Sequence, residues 1–140
     1  MGNEHGAAVT YRQLGIIAHE QRDFETAERW YLKSLEISER MGNENGAAIT
    51  YHQLGGIAEA RRDYETAERW YLKALEIKER MGNEHGAAIT YYQLGTCSLV
   101  RNSKLARTYL QKSIEVFERH GDHGKARLSR KILVELEDVN

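Results

Sequence analysis

The sequence has no proline, a single cysteine, and no apolar run approaching the roughly 20 residues that a membrane-spanning helix needs. Without proline, the ends of any helices must rest on glycines and capping side chains. With Cys97 alone, no intramolecular disulfide can form, which fits a reducing cytosol. Charge of one sign is also missing. Lys and Arg number 20, Asp and Glu 21, and the net charge is −1, so nothing draws the chain as a whole to nucleic acid or an anionic membrane. No basic, apolar leader with a small-residue cleavage site opens the chain. No phosphate loop, nucleophile elbow or metal-binding helix motif occurs, so neither enzymatic activity nor a cofactor is expected. The content that remains, 29% charged and 41% hydrophobic, is ordinary for a globular protein.

What the chain does have is repetition. Residues 1–40 and 41–80 align without a gap and match at thirty of forty positions, and residues 81–95 begin the same text again. A fixed period of this size is the mark of a helical repeat array. Met1 is the first letter of the repeat, in register with Met41 and Met81, so the sequence starts in frame as a fragment of a longer array would. We expect one array over 1–140, with repeats at 1–40, 41–80 and 81–120 and a capping helix at 121–140.

Each unit carries two helical patterns. In the first, Ala7, Ala8, Tyr11, Leu14, Gly15 and Ala18 recur at a 3–4 spacing between about Glu4 and Glu20. Asn3 is expected to cap its start, and Glu4 suits the positive end of the helix dipole. Gln21, Arg22 and Asp23 break the pattern, with Asp23 as N-cap of the second helix. That helix spaces Ala27, Trp30, Tyr31, Ser34, Leu35, Ser38 and Met41 along one face. It also carries Glu25/Arg29 and Glu36/Arg40 in the favourable order, pairs worth a few tenths of a kcal/mol each. Gly42 provides a left-handed stop and Asn43 the next cap.

The spacing predicts further helices near 44–60, 64–80, 84–100 and 104–119. The third unit departs from its predecessors: Leu99–Leu105 replaces the eight residues Glu59–Thr66, and Tyr109, Leu110 and Gln111 stand where Trp70, Tyr71 and Leu72 do. Loss of outward apolar residues suits an end repeat. A closing helix over 125–137, with Ala126, Leu128, Ile132, Leu133 and Leu136 as its apolar positions, covers the last repeat. The expected chain is all-α, seven helices and no strands.

Tyr11, Leu14-Gly15, Ala27, Tyr31 and Leu35 together resemble the tetratricopeptide repeat, whose signature is an aromatic and Leu-Gly in the first helix, then alanine, an aromatic and Ala-Leu in the second. The second unit matches at Tyr51, Leu54, Gly55, Ala67, Tyr71, Ala74 and Leu75, and the third at Tyr91, Leu94, Gly95, Ala106, Ser113 and Ile114. Small residues at Gly15 and Ala27 are expected where the two helices cross closely. A helical glycine costs about 1 kcal/mol against alanine and needs such a reason. The unit here is 40 residues, against the usual 34 of that family, and lacks its terminating proline. In this it looks like the longer repeats of kinesin light chains and of the sensor arrays of STAND-type (NLR-like) signalling proteins. The resemblance implies a right-handed superhelix of antiparallel helix pairs, and a non-catalytic module that binds a peptide or protein segment along a concave groove.

In that family the groove is lined by five positions of each first helix. Carried over, these are Val9, Arg12, Ile16, His19 and Glu20; Ile49, His52, Gly56, Glu59 and Ala60; and Ile89, Tyr92, Thr96, Leu99 and Val100. Ten positions differ between the first two copies, and five of them are all five groove positions. Exposed positions of the second helix, such as Glu28, Arg29, Lys33 and Glu36, do not change. A constant frame holding a varied surface is what a recognition module needs. The groove runs from charged and polar residues in the first unit to aromatic and apolar ones in the third. Gly56 leaves a shallow hollow midway for a bulky anchor. The apolar end of the gradient holds unless the shortened turn instead buries Leu99 and Val100.

Other chemistry fits less well. His5, His85, His120 and His123 fall at inter-repeat turns and read as solvated, with only His120 and His123 close enough to share a zinc ion. The carboxylates alternate with Lys and Arg as on a salt-bridged face. The groove offers one arginine and no basic stripe, which argues against nucleic acid, as do Glu135, Glu137 and Asp138 after the basic residues Lys125, Arg127, Arg130 and Lys131. Co-chaperone members of the family grip a terminal carboxylate with Lys/Arg and Asn, whereas the matching places here hold Arg12, Ile16, His52, Gly56, Tyr92 and Thr96. Cys97, among small and apolar neighbours, reads as a buried or groove-lining thiol. Trp30 and Trp70 are expected between neighbouring helices. Leu32 and Leu72 are expected to face outward, where they would support self-association, and an uncapped first helix makes a stacking homo-oligomer the alternative reading.

Overall fold

The computed structural model describes residues 3–139; Met1, whose place in the repeat set the expected frame, lies outside them. Among the described residues the chain forms seven α-helices and no strands: α1 (Asn3–Glu20), α2 (Phe24–Arg40), α3 (Glu44–Ala60), α4 (Tyr64–Arg80), α5 (Glu84–Ser98), α6 (Ser103–Arg119) and α7 (His123–Val139). They group into two compact units, Met1–Ile77 and Lys78–Asn140.

The helix ends follow one local rule. Asp23, Asn43, Asn83 and Asn102 each accept a hydrogen bond from the backbone N–H three residues on, as N-caps do. Asn3, the expected cap of α1, is instead that helix's first residue. Between repeats the chain turns on Gly42 and Gly82, both left-handed. Within repeats the left-handed residue is an arginine, Arg22 or Arg62, at φ near +60°. No glycine marks that turn, so the sequence pattern located the break but not its left-handed residue. The side-chain strain of about 1 kcal/mol is offset by a closed C-cap: Arg22 N–H donates to His19 O and Asp23 N–H to Ala18 O. Met41, expected on the apolar face of α2, belongs to the cap of that helix and is 44% exposed.

In the unit Met1–Ile77, α1 packs on α2 and α2 on α3. Its core joins Ala18, Ala27, Tyr31, Leu35, Ala47, Tyr51, Leu54, Ile57 and Ala74. The expected close crossing holds. A Cβ on Gly15 would lie 2.5 Å from the Tyr31 ring, and one on Gly55 2.5 Å from the Tyr71 ring. Trp30 stacks on Tyr11 and Trp70 on Tyr51, at 5.5 and 5.7 Å between centroids. Lys33 and Lys73 lie over these ring pairs. Leu32 and Leu72 face outward, 42% and 40% exposed.

In the unit Lys78–Asn140, α5 packs on α6 and α6 on α7, around Ala88, Val116, Phe117 and Ala126. α5 ends at Ser98, two residues before the expected limit, so Leu99 and Val100 leave the helix for the turn. The reason is the shortened connection: Asn102 must already cap α6 through Leu105 N–H. Val100 is 92% exposed, so the turn does not bury it. The closing helix also starts earlier than expected. Left-handed Gly121 and Asp122, which accepts from Lys125 N–H, repeat the Gly82–Asn83 stop and cap, giving α7 the start of another first helix. Its buried seam is Ala126, Ser129 and Leu136; Leu128, assigned to that seam from spacing, is 54% exposed.

Candidate recognition surface

None of the fifteen first-helix residues singled out from the sequence is buried. Glu20, Ile49, Ala60 and Val100 are exposed and the other eleven are half-buried. Ile16 also packs against the core of its unit, and Ile89 and Tyr92 against theirs, so these three anchor the surface as well as forming it.

In the first unit the fold gathers part of this set around Gly56. A Cβ there would be 3.9 Å from both His19 Cε1 and Tyr71 Oη. The hydroxyl of Tyr71 donates to Glu59 Oε1 at 2.7 Å, and the His52 ring lies 5.2 Å from the Tyr71 ring. His19 in turn meets Phe24 edge-on at 5.7 Å. The hollow is therefore walled by imidazole and phenol, with a carboxylate that accepts hydrogen bonds. It suits a partner group that donates hydrogen bonds or carries positive charge. Tyr71 was not assigned to this surface because it belongs to the second helix of its unit. Its pattern position marked it as core, and its ring is core while its hydroxyl reaches the hollow.

In the second unit Ile89 and Tyr92 line a cavity of about 170 Å³ together with Gln93, Phe117, Lys125 and Leu128. Three of these come from α6 and α7. The sequence signal for them was the repeated stop and cap at Gly121–Asp122, which places Leu128 where Ile89 stands in the preceding first helix. The cavity is apolar with an ammonium group at its rim, so it suits an aliphatic or aromatic side chain.

The turn histidines correct the sequence reading. His85 Nε2 is 3.1 Å from Asp122 Oδ2 and His120 Nε2 is 2.9 Å from Glu84 Oε2, with the two rings 6.4 Å apart. They are paired with carboxylates, not simply solvated. Packing brings the start of α5 beside the end of α6, so His120 meets residues 36 positions away rather than His123. Among the described residues no three His, Cys, Asp or Glu side chains could hold a metal ion. Arg119 joins Glu84 at 3.4 Å, and the same register in the first unit gives Arg40–Glu4 at 3.0 Å.

The His85 hydrogen bond, then the Lys125 backbone N–H, hold the Asp122 carboxyl at about 2, down from its usual 3.8. A carboxylate depressed on folding contributes stability that is fully present above pH 4 and lost as pH falls toward 2. Asp122→Asn keeps the cap, as Asn43 and Asn83 do, but removes the titration. We expect the acid limb of its stability curve between pH 4 and 2 to be shallower than the parent's, measured by urea denaturation at each pH.

Cys97 is buried, 2% exposed. The basic residues of α7 do not form a free stripe: Lys125 pairs with Asp122 and Arg130 with Glu118. No helix among the described residues is long and apolar enough to cross a membrane.

Comparison with protein-family models matches tetratricopeptide repeats at residues 7–41 and 46–119. No curated protein sequence matches the chain. Among solved structures, the N-terminal domain of stress-induced protein-1 from C. elegans is 21% identical, with a TM-score of 0.77 over 96% of this chain and 97% of that one. The apo form of RapI is 20% identical with a TM-score of 0.90; 97% of this chain is covered, but only 38% of RapI. BtubC from P. vanneervenii is 20% identical, with a TM-score of 0.72 over 94% of this chain and 63% of that one. At these identities the likeness concerns the fold alone. With both sets of helix pairs matched and more than half the chain covered by one family model, the chain belongs to the tetratricopeptide repeat family.

Proposed function

We propose that the chain is a non-catalytic protein-interaction scaffold that binds a peptide or protein segment through its first-helix positions. One observation carries the reading: the five positions per first helix that all change between two otherwise near-identical repeats are also positions that the fold leaves unburied. The partner meets Val9, Arg12, Ile16, His19, Glu20, Ile49, His52, Gly56, Glu59 and Ala60 on one unit, and Ile89, Tyr92, Thr96, Leu99 and Val100 on the other. A hydrogen-bonding hollow and an apolar cavity favour an extended ligand with a polar or basic residue at one place and a bulky apolar one at another. Most of the binding energy then comes from a few aromatic and arginine contacts. Neither matched family model describes an enzyme, and the whole-protein setting, including a signalling array in the cytoplasm, belongs to the same proposal.

The test replaces Arg12, His52 and Tyr92 by alanine together and compares the proteins captured from lysate with those held by the parent. Leu32→Ala/Leu72→Ala serves as the control on the outward face. We expect the triple variant to lose its principal captured proteins and the control to keep them. The opposite result would move the function to the outer face and to self-association.

A further inference from the structure

Residues 25–33 of α2 recur unchanged as residues 65–73 of α4, and part of this stretch forms a cleft that the recognition positions do not use. Thr26, Arg29, Trp30 and Lys33 line it, around a volume of about 240 Å³. Lys33 Nζ lies 5.6 Å from the centre of the Tyr11 ring and 5.3 Å from that of Trp30, and the two rings stack on each other. The same contacts recur in the next repeat. Lys73 Nζ lies 5.6 Å from the centre of the Tyr51 ring and 5.7 Å from that of Trp70. Both copies fall in the unit Met1–Ile77. In the third repeat Thr108 and Tyr109 stand in the places of Arg69 and Trp70, and of the two cations only the lysine, Lys112, remains.

The cations of these clefts are held without being neutralised. The spacing pairs Arg29 with Glu25, but in the structure Arg29 Nη2 donates to Thr26 Oγ1 at 3.3 Å, and Arg69 Nη2 to Thr66 Oγ1 at 3.2 Å. Two neighbouring glutamates serve other cations: Glu28 pairs with Arg61 at 3.5 Å and Glu36 with Arg40 at 3.6 Å. The carboxyl of the cap Asp23 is drawn down first by its hydrogen bonds from Thr26 and only last by Arg29. Among the described residues Arg29, Lys33, Arg69 and Lys73 form no ion pair, and all four are exposed. A hydroxyl orients a guanidinium, and aromatic rings hold an ammonium, while leaving the charge itself to meet a partner.

We infer that the two Arg-Trp-Lys sets of α2 and α4 dock an acidic polypeptide segment, one carboxylate at each. The guanidinium offers a carboxylate parallel N–H donors, the lysine adds a second positive charge, and the tryptophan between them forms an apolar wall. Nucleic acid fits less well. Single strands bind by stacking bases on open aromatic faces, whereas here each tryptophan is stacked on a tyrosine with a lysine over the pair. A phosphate chain also brings charge at every step, past the exposed Glu25 and Glu36 of α2. A polypeptide can place its carboxylates at the cations and uncharged residues beside the glutamates.

The test titrates the chain into a fluorescein-labelled peptide of alternating glutamate and serine and follows anisotropy. We expect saturable binding, weakened about tenfold by Arg29→Gln/Lys33→Gln and about tenfold again when Arg69→Gln/Lys73→Gln is added. Lys104→Gln/Lys112→Gln removes as much charge from the third repeat and is expected to leave the affinity unchanged. The groove variant Arg12→Ala/His52→Ala/Tyr92→Ala is expected to bind the peptide as the parent does. If loss of the lysines unfolds the chain by circular dichroism, Arg29→Gln/Arg69→Gln keeps the cation over each ring pair and is still expected to weaken binding about tenfold. A loss as large with Lys104→Gln/Lys112→Gln overturns the inference, because net charge alone would then be acting. So does absence of saturation up to about 1 mM. Tighter binding of an oligothymidylate than of the peptide at the same salt overturns it in favour of nucleic acid. A dimer dissolved by Arg29→Gln/Lys33→Gln yet not competed by the peptide overturns it in favour of a second copy of the chain.

Discussion

Tyr71→Ala is expected to destabilise the protein by about 3–5 kcal/mol, a large part of the roughly 5–15 kcal/mol that holds a domain folded. The ring is 1% exposed and fills the space between α3 and α4, against Gly55. Its loss leaves a ring-sized cavity and removes the hydroxyl from which Glu59 accepts a hydrogen bond. Tyr71→Phe separates the two effects. It keeps the packing and removes the hydrogen bond, so a loss of only about 1 kcal/mol is expected. Urea denaturation followed by helix circular dichroism measures both. A Phe variant as unstable as the Ala variant would show that the hydrogen bond, not the ring, holds this helix pair together.

Gly55→Val is expected to cost at least about 3 kcal/mol from the opposite cause, too much volume at the same contact. The new Cβ would stand 2.5 Å from Tyr71 Cε1, closer than any unstrained contact, and the ring is held in the core. For Gly55→Ala two terms compete. Removing a helical glycine gains about 1 kcal/mol, while the clash costs about 2–3, so a net loss is expected. The neighbouring Gly56 reverses the outcome. Its Cβ would meet nothing nearer than 3.9 Å, so Gly56→Ala is expected to stabilise by up to about 1 kcal/mol while filling the hollow. Thermal midpoints of the three variants check the order. In a Gly55→Ala/Tyr71→Ala double variant the losses should not add, because the clash disappears with the ring.

These pairs show how far the residues could be read without coordinates. Leu-Gly, alanine and aromatic positions at helical spacing located the helices, the close crossing and the core, because periodicity and side-chain size act locally. The same reading placed the fifteen recognition positions on first helices, and thirteen of them lie there. Leu99 and Val100 do not, since a one-residue deletion was counted in the turn while its effect was to end α5 early. The arginines at Arg22 and Arg62 gave no left-handed signal, because a positive φ is visible in sequence only when glycine or asparagine occupies it.

The histidine pairs were illegible for another reason. His85 and Asp122, or His120 and Glu84, lie 36 or 37 residues apart, and no local pattern ties them. The same holds for the hydroxyl of Tyr71 at the hollow and for Leu128 and Lys125 at the apolar cavity. In each case the partners come from different helices, and only packing decides which side chains meet.

The sequence by itself determined that this is a repeat protein, how long each unit is, where its helices run, and which few letters vary within a constant frame. Those properties follow from helix propensity, capping and the 3–4 spacing of apolar residues, all of which act over a few turns. The tertiary structure alone decided which distant side chains meet: His85 with Asp122, His120 with Glu84, the Tyr71 hydroxyl with Glu59, and Leu128 and Lys125 with Ile89 and Tyr92. That depends on how neighbouring helices pack, which no pattern within one helix encodes.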